Sequence, residues 1–162
     1  MSAEERAGSQ PAAPADRVKA LLERIVADLE IEAEVSVAEE EDEILAAVDG
    51  EDVGLLIGRH GQTIDAIQLL CYQAAFQGRA ERKRVTVDAS GYRARRGEVL
   101  RRRADAAAED AVRNAGPVEL EPMAPTERRV VHEHLRERPE VETYSEGDEP
   151  NRCVVVAPLV SG

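Results

Sequence analysis

Residues 54–63 read GLLIGRHGQT. An apolar run stops at Gly58, Arg59 and His60 follow, Gly61 closes the loop, and a helical pattern begins at Gln62. Each glycine weakens a helix by about 1 kcal/mol relative to alanine. Two of them between helix-forming stretches therefore mark a loop. Glycine permits positive φ and close approach of backbone to a ligand. The helix that follows points its free N–H groups back at the loop, an arrangement suited to anions. Arg59 adds a charge, and His60 a hydrogen-bond donor. Gly58, Arg59, His60 and Gly61 are thus candidate contacts to phosphate; a tight helix–helix connection is the plainer reading of the same residues.

Working outward, Asp16 is placed to cap a helix, whose apolar stripe is Val18, Leu21, Leu22, Ile25 and Leu29. IEAEVSV (31–37) and EILAAVD (43–49) alternate as half-buried strands. The acidic run EEEDE (39–43) falls at their turn, as a solvated hairpin tip or a cation site. Beyond the loop, Ile64, Ile67, Cys71 and Ala74 form a second helical stripe with Leu70 beside it, and RVTVDA (84–89) alternates as a third strand. The order is helix, strand, strand, short helix, loop, helix, strand, which one sheet with helices on one face would satisfy.

The second half begins with a long Ala- and Arg-rich helix over 91–115, stopped by Gly116 and Pro117. VELEP (118–122) is read as a short strand. A helix opens at Pro125 and Thr126 and runs through TERRVVHEHLRER to Pro139. VETYS (141–145) and RCVVVA (152–157) are strands around the turn EGDEPN. The fold class is α+β in both halves, αββααβ and then αβαββ. Arg128 and His132 are four apart and share a helix face, and Arg136 extends the column. Such a column suits a row of phosphates; a solvated face paired with glutamates is the plainer reading. Arg93, Arg96 and Arg103 on the long helix, with Arg95, Arg101 and Arg102, could form a basic bridge between the halves, some pairing with Glu98 and Asp105.

Composition narrows the function classes. The chain has 162 residues, 43% of them hydrophobic but only 2% aromatic, so the core is aliphatic and readout by stacking bases on aromatic rings is disfavoured. The net charge of −12 is unevenly spread. Residues 1–53 hold 4 Lys and Arg against 16 Asp and Glu, residues 54–113 hold 12 against 7, and residues 114–162 hold 5 against 10. A basic middle between acidic ends is a local field a polyanion would feel. Cys71 and Cys153 lie in apolar runs, with no disulfide or zinc spacing, and Cys71 reads as core. Nothing resembles a nucleophile elbow or a paired-acid motif. The expectation is a non-enzyme without metal or cofactor. No apolar run nears 18 residues and no signal peptide is evident, so a reduced, cytoplasmic protein with no membrane contact is expected, its residues 1–15 a disordered tail.

Residues 16–89 resemble a KH domain of the type II order, with GRHG as its GxxG loop. That resemblance implies a groove for about four unstacked nucleotides, with Ile57, Ile64 and Ile67 as candidate walls. LEPMAP and ETYSEG…NR around Arg128 and His132 resemble the single-stranded nucleic-acid-binding domain named for its Arg-x-x-x-His spacing. In tandem, GLLIGRHGQTIDAIQLL, VDASGYRARRGEVL, LEPMAPTERRVVHEHL and VETYSEGDEPNR resemble the Jag (SpoIIIJ-associated) family of bacterial RNA-binding proteins, across residues 16–158. The resemblance implies a KH domain over 16–90 and an Arg-x-x-x-His domain over 91–162. It implies binding of single-stranded RNA, with single-stranded DNA as an alternative ligand. It also implies post-transcriptional regulation linked to cell elongation and division, and a small single-KH partner. The rival reading is a protein-interaction scaffold or dimerising KH subunit with weak nucleic-acid binding. Two departures stand out: only about 15 residues precede the KH region, and His60 stands where the family often has a second Lys or Arg.

Overall fold

A computed structural model describes residues 12–159. Most of the expected tail, residues 1–11, lies outside the described residues; its last two positions, Pro14 and Ala15, belong instead to a helix. Helix α1 (Pro14–Asp28) starts earlier than its expected cap: Ala13 is the N-cap, and Asp16 lies in the first turn. Proline's fixed φ and missing N–H suit the helix start, and from the first turn Asp16 still faces the positive end of the helix. α1 buries Val18, Leu22 and Val26. Glu30 turns the chain at φ 53°, and the Ile31 N–H reaches back to the Val26 carbonyl at 3.0 Å. Ile31 is thereby buried while Leu29, expected in the stripe, faces solvent.

Strands β1 (Ala33–Glu39) and β2 (Glu43–Gly50) are antiparallel, with Val35 opposite Val48. Their turn is exposed, and Lys83 binds there to the Glu39 carboxylate at 2.9 Å and the Glu40 carbonyl at 3.0 Å. The chain then forms α2 (Gly54–Ile57), a single 3₁₀ turn (Arg59–Gly61) and α3 (Gln62–Phe76), and returns as β3 (Arg84–Ala89), parallel to β2. The sheet order is β1-β2-β3. Alternation puts Ile44, Ala46 and Val48 of β2 with Val85, Val87 and Ala89 of β3 on one buried face. There they meet Ile64, Ile67, Cys71 and Phe76 from α3 and the α1 stripe. The Gln68 side-chain carbonyl of α3 accepts the Val87 N–H at 2.9 Å, tying helix to strand.

The chain divides into two compact units, the first ending at Tyr92 and the second beginning at Arg93. Helix α4 (Tyr92–Asn114) packs Leu100, Ala104, Ala107, Ala108 and Ala111 into the second core. The helix stops at the expected place: Ala115 takes a left-handed φ of 49° and the Gly116 N–H bonds the Ala111 carbonyl. β4 is only Val118–Glu119; Pro122 cannot donate to a ladder, and the chain continues beside β6 through single bonds from Leu120 to Val154 and from Met123 to Arg152. Helix α5 (Pro125–Leu135) ends before the expected Arg138, and β5 (Val141–Glu146) and β6 (Cys153–Pro158) complete an antiparallel sheet of order β4-β6-β5. No described helix is long and apolar enough to cross a membrane.

Candidate nucleic-acid interface

The loop between α2 and α3 takes positive φ three times within four residues: Gly58 (φ 71°, ψ −173°), His60 (φ 53°, ψ 29°) and Gly61 (φ 78°, ψ 11°). The Gly58 geometry belongs to a region that essentially only glycine populates. A Cβ there would stand 2.7 Å from the Thr63 Cβ and 3.0 Å from its amide nitrogen. At Gly61 a Cβ would meet the Tyr92 ring, 2.8 Å from Cε1. The two glycines are thus required first by packing within the unit. His60 carries strain of about 1–3 kcal/mol for a side chain at this φ, held between the two glycines. Arg59 and His60 both face solvent. No side chain caps α3; the N–H of its first residue, Gln62, bonds the Arg59 carbonyl, and the remaining first-turn N–H groups point toward the loop end of the helix.

The expected groove walls do not all reach the surface. Ile57 is half-buried beside the loop, but Ile64 and Ile67 are 1% and 7% exposed. Both point into the core with Leu22, Val26 and Val87, because the stripe that anchors α3 on the sheet is the stripe they belong to. The apolar side chains offered to solvent here are Leu55, Leu69 and Leu70, at 64%, 59% and 55% exposure. On α3 the exposed positions are Gln62, Thr63, Ala66, Leu69, Leu70 and Gln73. None of them is charged, in a chain with 33% charged residues.

In the second unit Arg128 and His132 do face the same way, onto the β5–β6 hairpin. Arg128 is 8% exposed. Its Nη1 donates to the Met123 carbonyl at 2.8 Å and its Nη2 to Glu149 Oε1 at 2.5 Å. His132 Nδ1 lies 2.7 Å from the Thr143 hydroxyl and Nε2 2.9 Å from the Ser145 hydroxyl. Burial, seconded by the Arg128 charge, pushes the imidazole below its ordinary value of 6.5. The expected open basic column is therefore a pair of residues engaged within the fold. Arg136 is the exposed C-cap of α5, and the solvent face of that helix carries the Arg129–Glu133 pair at 2.7 Å.

Several arginines of the basic bridge are paired with carboxylates. Arg96 binds Glu127 through Nε at 2.6 Å, with both side chains nearly buried. Arg103 binds Glu121 at 2.7 Å in the open, Arg101 and Arg102 share Glu98, and Arg93 is half-buried. Asp105 takes His134 at 3.0 Å and Arg138 at 3.1 Å instead of an α4 arginine. Of these arginine–glutamate pairs only Arg96–Glu127 is shielded from solvent; the others are exposed pairs of the kind worth about 0–1 kcal/mol.

Sequence reading does not single out Thr143, Ser145, Glu149, Glu127 or Tyr92 as supports of a site or loop. The first two have a usable signal: they are two apart on a strand, hence on one face, opposite a helix carrying a histidine. Cys71 is core as expected, and burial pushes its thiol up to about 11. Among the described residues, no three His, Cys, Asp or Glu side chains converge to hold a metal.

Comparison with known proteins bears on both units. Residues 15–88 match the KhpA/KhpB KH domain. Residues 98–158 match the R-3-H domain, the class named for its Arg-x-x-x-His spacing. The chain is 35% identical over 144 residues to the RNA-binding protein KhpB of Clostridium symbiosum, covering 88% of this chain and 65% of that protein. It is 32% identical over 146 residues to RNA-binding protein KhpB of Bacillus subtilis, covering 89% and 70%. For RNA-binding protein KhpB of Streptococcus pneumoniae serotype 2 the identity is 32%, and the match spans 88% of this chain but only 43% of that protein. The chain thus accounts for between 43% and 70% of the length of these relatives.

Proposed function

The chain belongs to the KhpB (Jag) family, a KH domain followed by an Arg-x-x-x-His domain, and from that premise we propose that it binds single-stranded RNA through the Gly58–Gly61 loop. The observation that carries this is geometric. Two basic-type side chains are presented to solvent at a backbone turn of positive φ, directly before the uncapped N-terminus of a 15-residue helix. Backbone N–H groups and the helix dipole favour a phosphate there. The scarcity of aromatic residues fits readout by backbone clamping rather than by ring stacking.

In this reading the KH domain spans 16–90 and the second domain 91–162. Arg128, His132 and Arg136 give a second, weaker contact. The protein acts in the cytoplasm as a post-transcriptional regulator tied to cell elongation and division, without enzymatic activity. The uncharged outer face of α3, with Leu69 and Leu70, is the surface for a small single-KH partner. The same face, with the net charge of −12, favours a second reading in which the KH fold is chiefly an assembly module.

Changing Arg59 and His60 together to Asp separates the two. Fluorescence anisotropy with a labelled single-stranded RNA at low salt should show binding abolished, while thermal unfolding stays unchanged. Undiminished affinity would remove the loop from the RNA site and leave the assembly reading. Leu69→Glu with Leu70→Glu should act the other way, sparing RNA binding and abolishing partner association.

A further inference from the structure

Arg128 has an inner and an outer end. The inner Nη1 is fixed on the carbonyl of the buried Met123, and the outer Nη2 is closed by Glu149, a half-exposed residue on the β5–β6 turn. The turn is itself held: Arg152 Nη1 donates to the Gly147 carbonyl at 2.7 Å. One turn along α5, His132 has both ring nitrogens engaged by hydroxyls. A carboxylate and a phosphate offer a guanidinium the same thing, anionic oxygens that accept short charge-assisted N–H bonds.

We infer that Glu149 stands in the phosphate position of the Arg128 site, so that a nucleic-acid strand must displace this carboxylate before Arg128 can take one of its phosphates. The inference rests on the reading of Arg128 and His132 as a second nucleic-acid contact. Three features support it. Glu149 bonds the guanidinium at its solvent edge, while the inner bond keeps Arg128 in place without it. Glu149 is on a turn, where a modest hinge frees the arginine and leaves the sheet ladder of β5 and β6 intact. And the neighbouring Asp148 is exposed, so the closed turn also sets a second negative charge near an approaching strand. The second site is thereby weak by construction, and Glu149 sets how weak.

Glu149→Gln tests this in the full chain, because the amide oxygen can still accept from Arg128 and preserve the fold. Anisotropy with a short labelled single-stranded RNA should show affinity raised about ten-fold, the scale of one charge-assisted bond. The log–log salt slope should steepen by about 0.7, one more phosphate neutralised. Adding Arg128→Gln should abolish the gain. Independently of RNA, inorganic phosphate should shift the Arg128 Nε–H resonance in Glu149→Gln at lower concentration than in the parent. If phosphate leaves that resonance still, or moves it equally in both proteins, Glu149 is no anion surrogate and the inference is overturned, whatever RNA does at the loop. If phosphate moves it earlier in Glu149→Gln but RNA affinity and slope do not change, the strand does not use Arg128, and the inference falls together with the second-site reading.

Discussion

Gly61→Ala is the substitution whose outcome the structure fixes most tightly. The residue sits at φ 78°, ψ 11°, where an alanine pays about 1–2 kcal/mol for its Cβ. That Cβ would stand 2.8 Å from Tyr92 Cε1, 3.1 Å from its hydroxyl oxygen and 3.3 Å from Cζ, closer than carbon atoms approach without something moving. Shifting a half-buried ring adds about 1–3 kcal/mol, the usual range for overpacking. The expected loss is about 3 kcal/mol in the first unit, within the range of about 2–5 kcal/mol that the two terms span together. For a domain of this size each kcal/mol moves Tm by about 4–8 °C, so its transition should fall by about 12 °C or more. Circular dichroism melts and urea unfolding of the full chain would read this, with Arg59→Asp/His60→Asp as the control that alters the loop's charge and not its packing. Introduced into a Tyr92→Ala background, where the ring is gone, Gly61→Ala should cost only the backbone component of about 1–2 kcal/mol. A Gly61→Ala protein within about 0.5 kcal/mol of the parent, the scatter of an ordinary surface change, would refute the packing role assigned to this glycine.

Glu127→Ala strands Arg96 in a nearly buried position and should cost the second unit about 3 kcal/mol in urea unfolding; a loss below about 1 kcal/mol would mean the pair behaves as a surface one. His132 has its folded-state pKa below its ordinary value of 6.5, so on acidification the unfolded chain takes up this proton first. Stability from this residue is fully present above pH 6.5 and is lost as pH falls below it; His132→Gln should remove that slope from a stability–pH series. The Cys71 thiol, buried and raised to about 11, should resist a thiol reagent at about pH 8 in the folded protein and react at once in denaturant.

Much of the fold is legible in the sequence because its signals are local and periodic. Strand β3 is read at its observed limits, 84–89, since alternation there is bounded by charged and turn residues on both sides. Helix α3 is read from its stripe. The same stripe misleads the site reading: Ile64 and Ile67 are apolar beside a loop, and nothing in one dimension says whether the anchoring face or the groove face carries them. Helix ends blur for a similar reason. Asp16 is a good cap by type, but Pro14 is a better first residue, and only the packed helix decides between them. Long-range charge pairing is the least legible. Arg96–Glu127 and Arg128–Glu149 join residues 31 and 21 apart, and their partners follow from how α4, α5 and the hairpin meet, which no spacing rule contains. The arginine-rich stretch therefore looks more available to a polyanion than the folded chain leaves it.

Tyr92 lies just past residue 90, where sequence reading ends the KH domain, yet its ring is the wall against which the Gly61 turn is shaped. It is also the first residue of the helix that supplies the second unit's core. A fragment cut at residue 90 would keep all four loop residues and every strand of the first sheet. It would lose the surface that holds Gly61 in place, and a weak RNA affinity measured on it would report the cut rather than the loop.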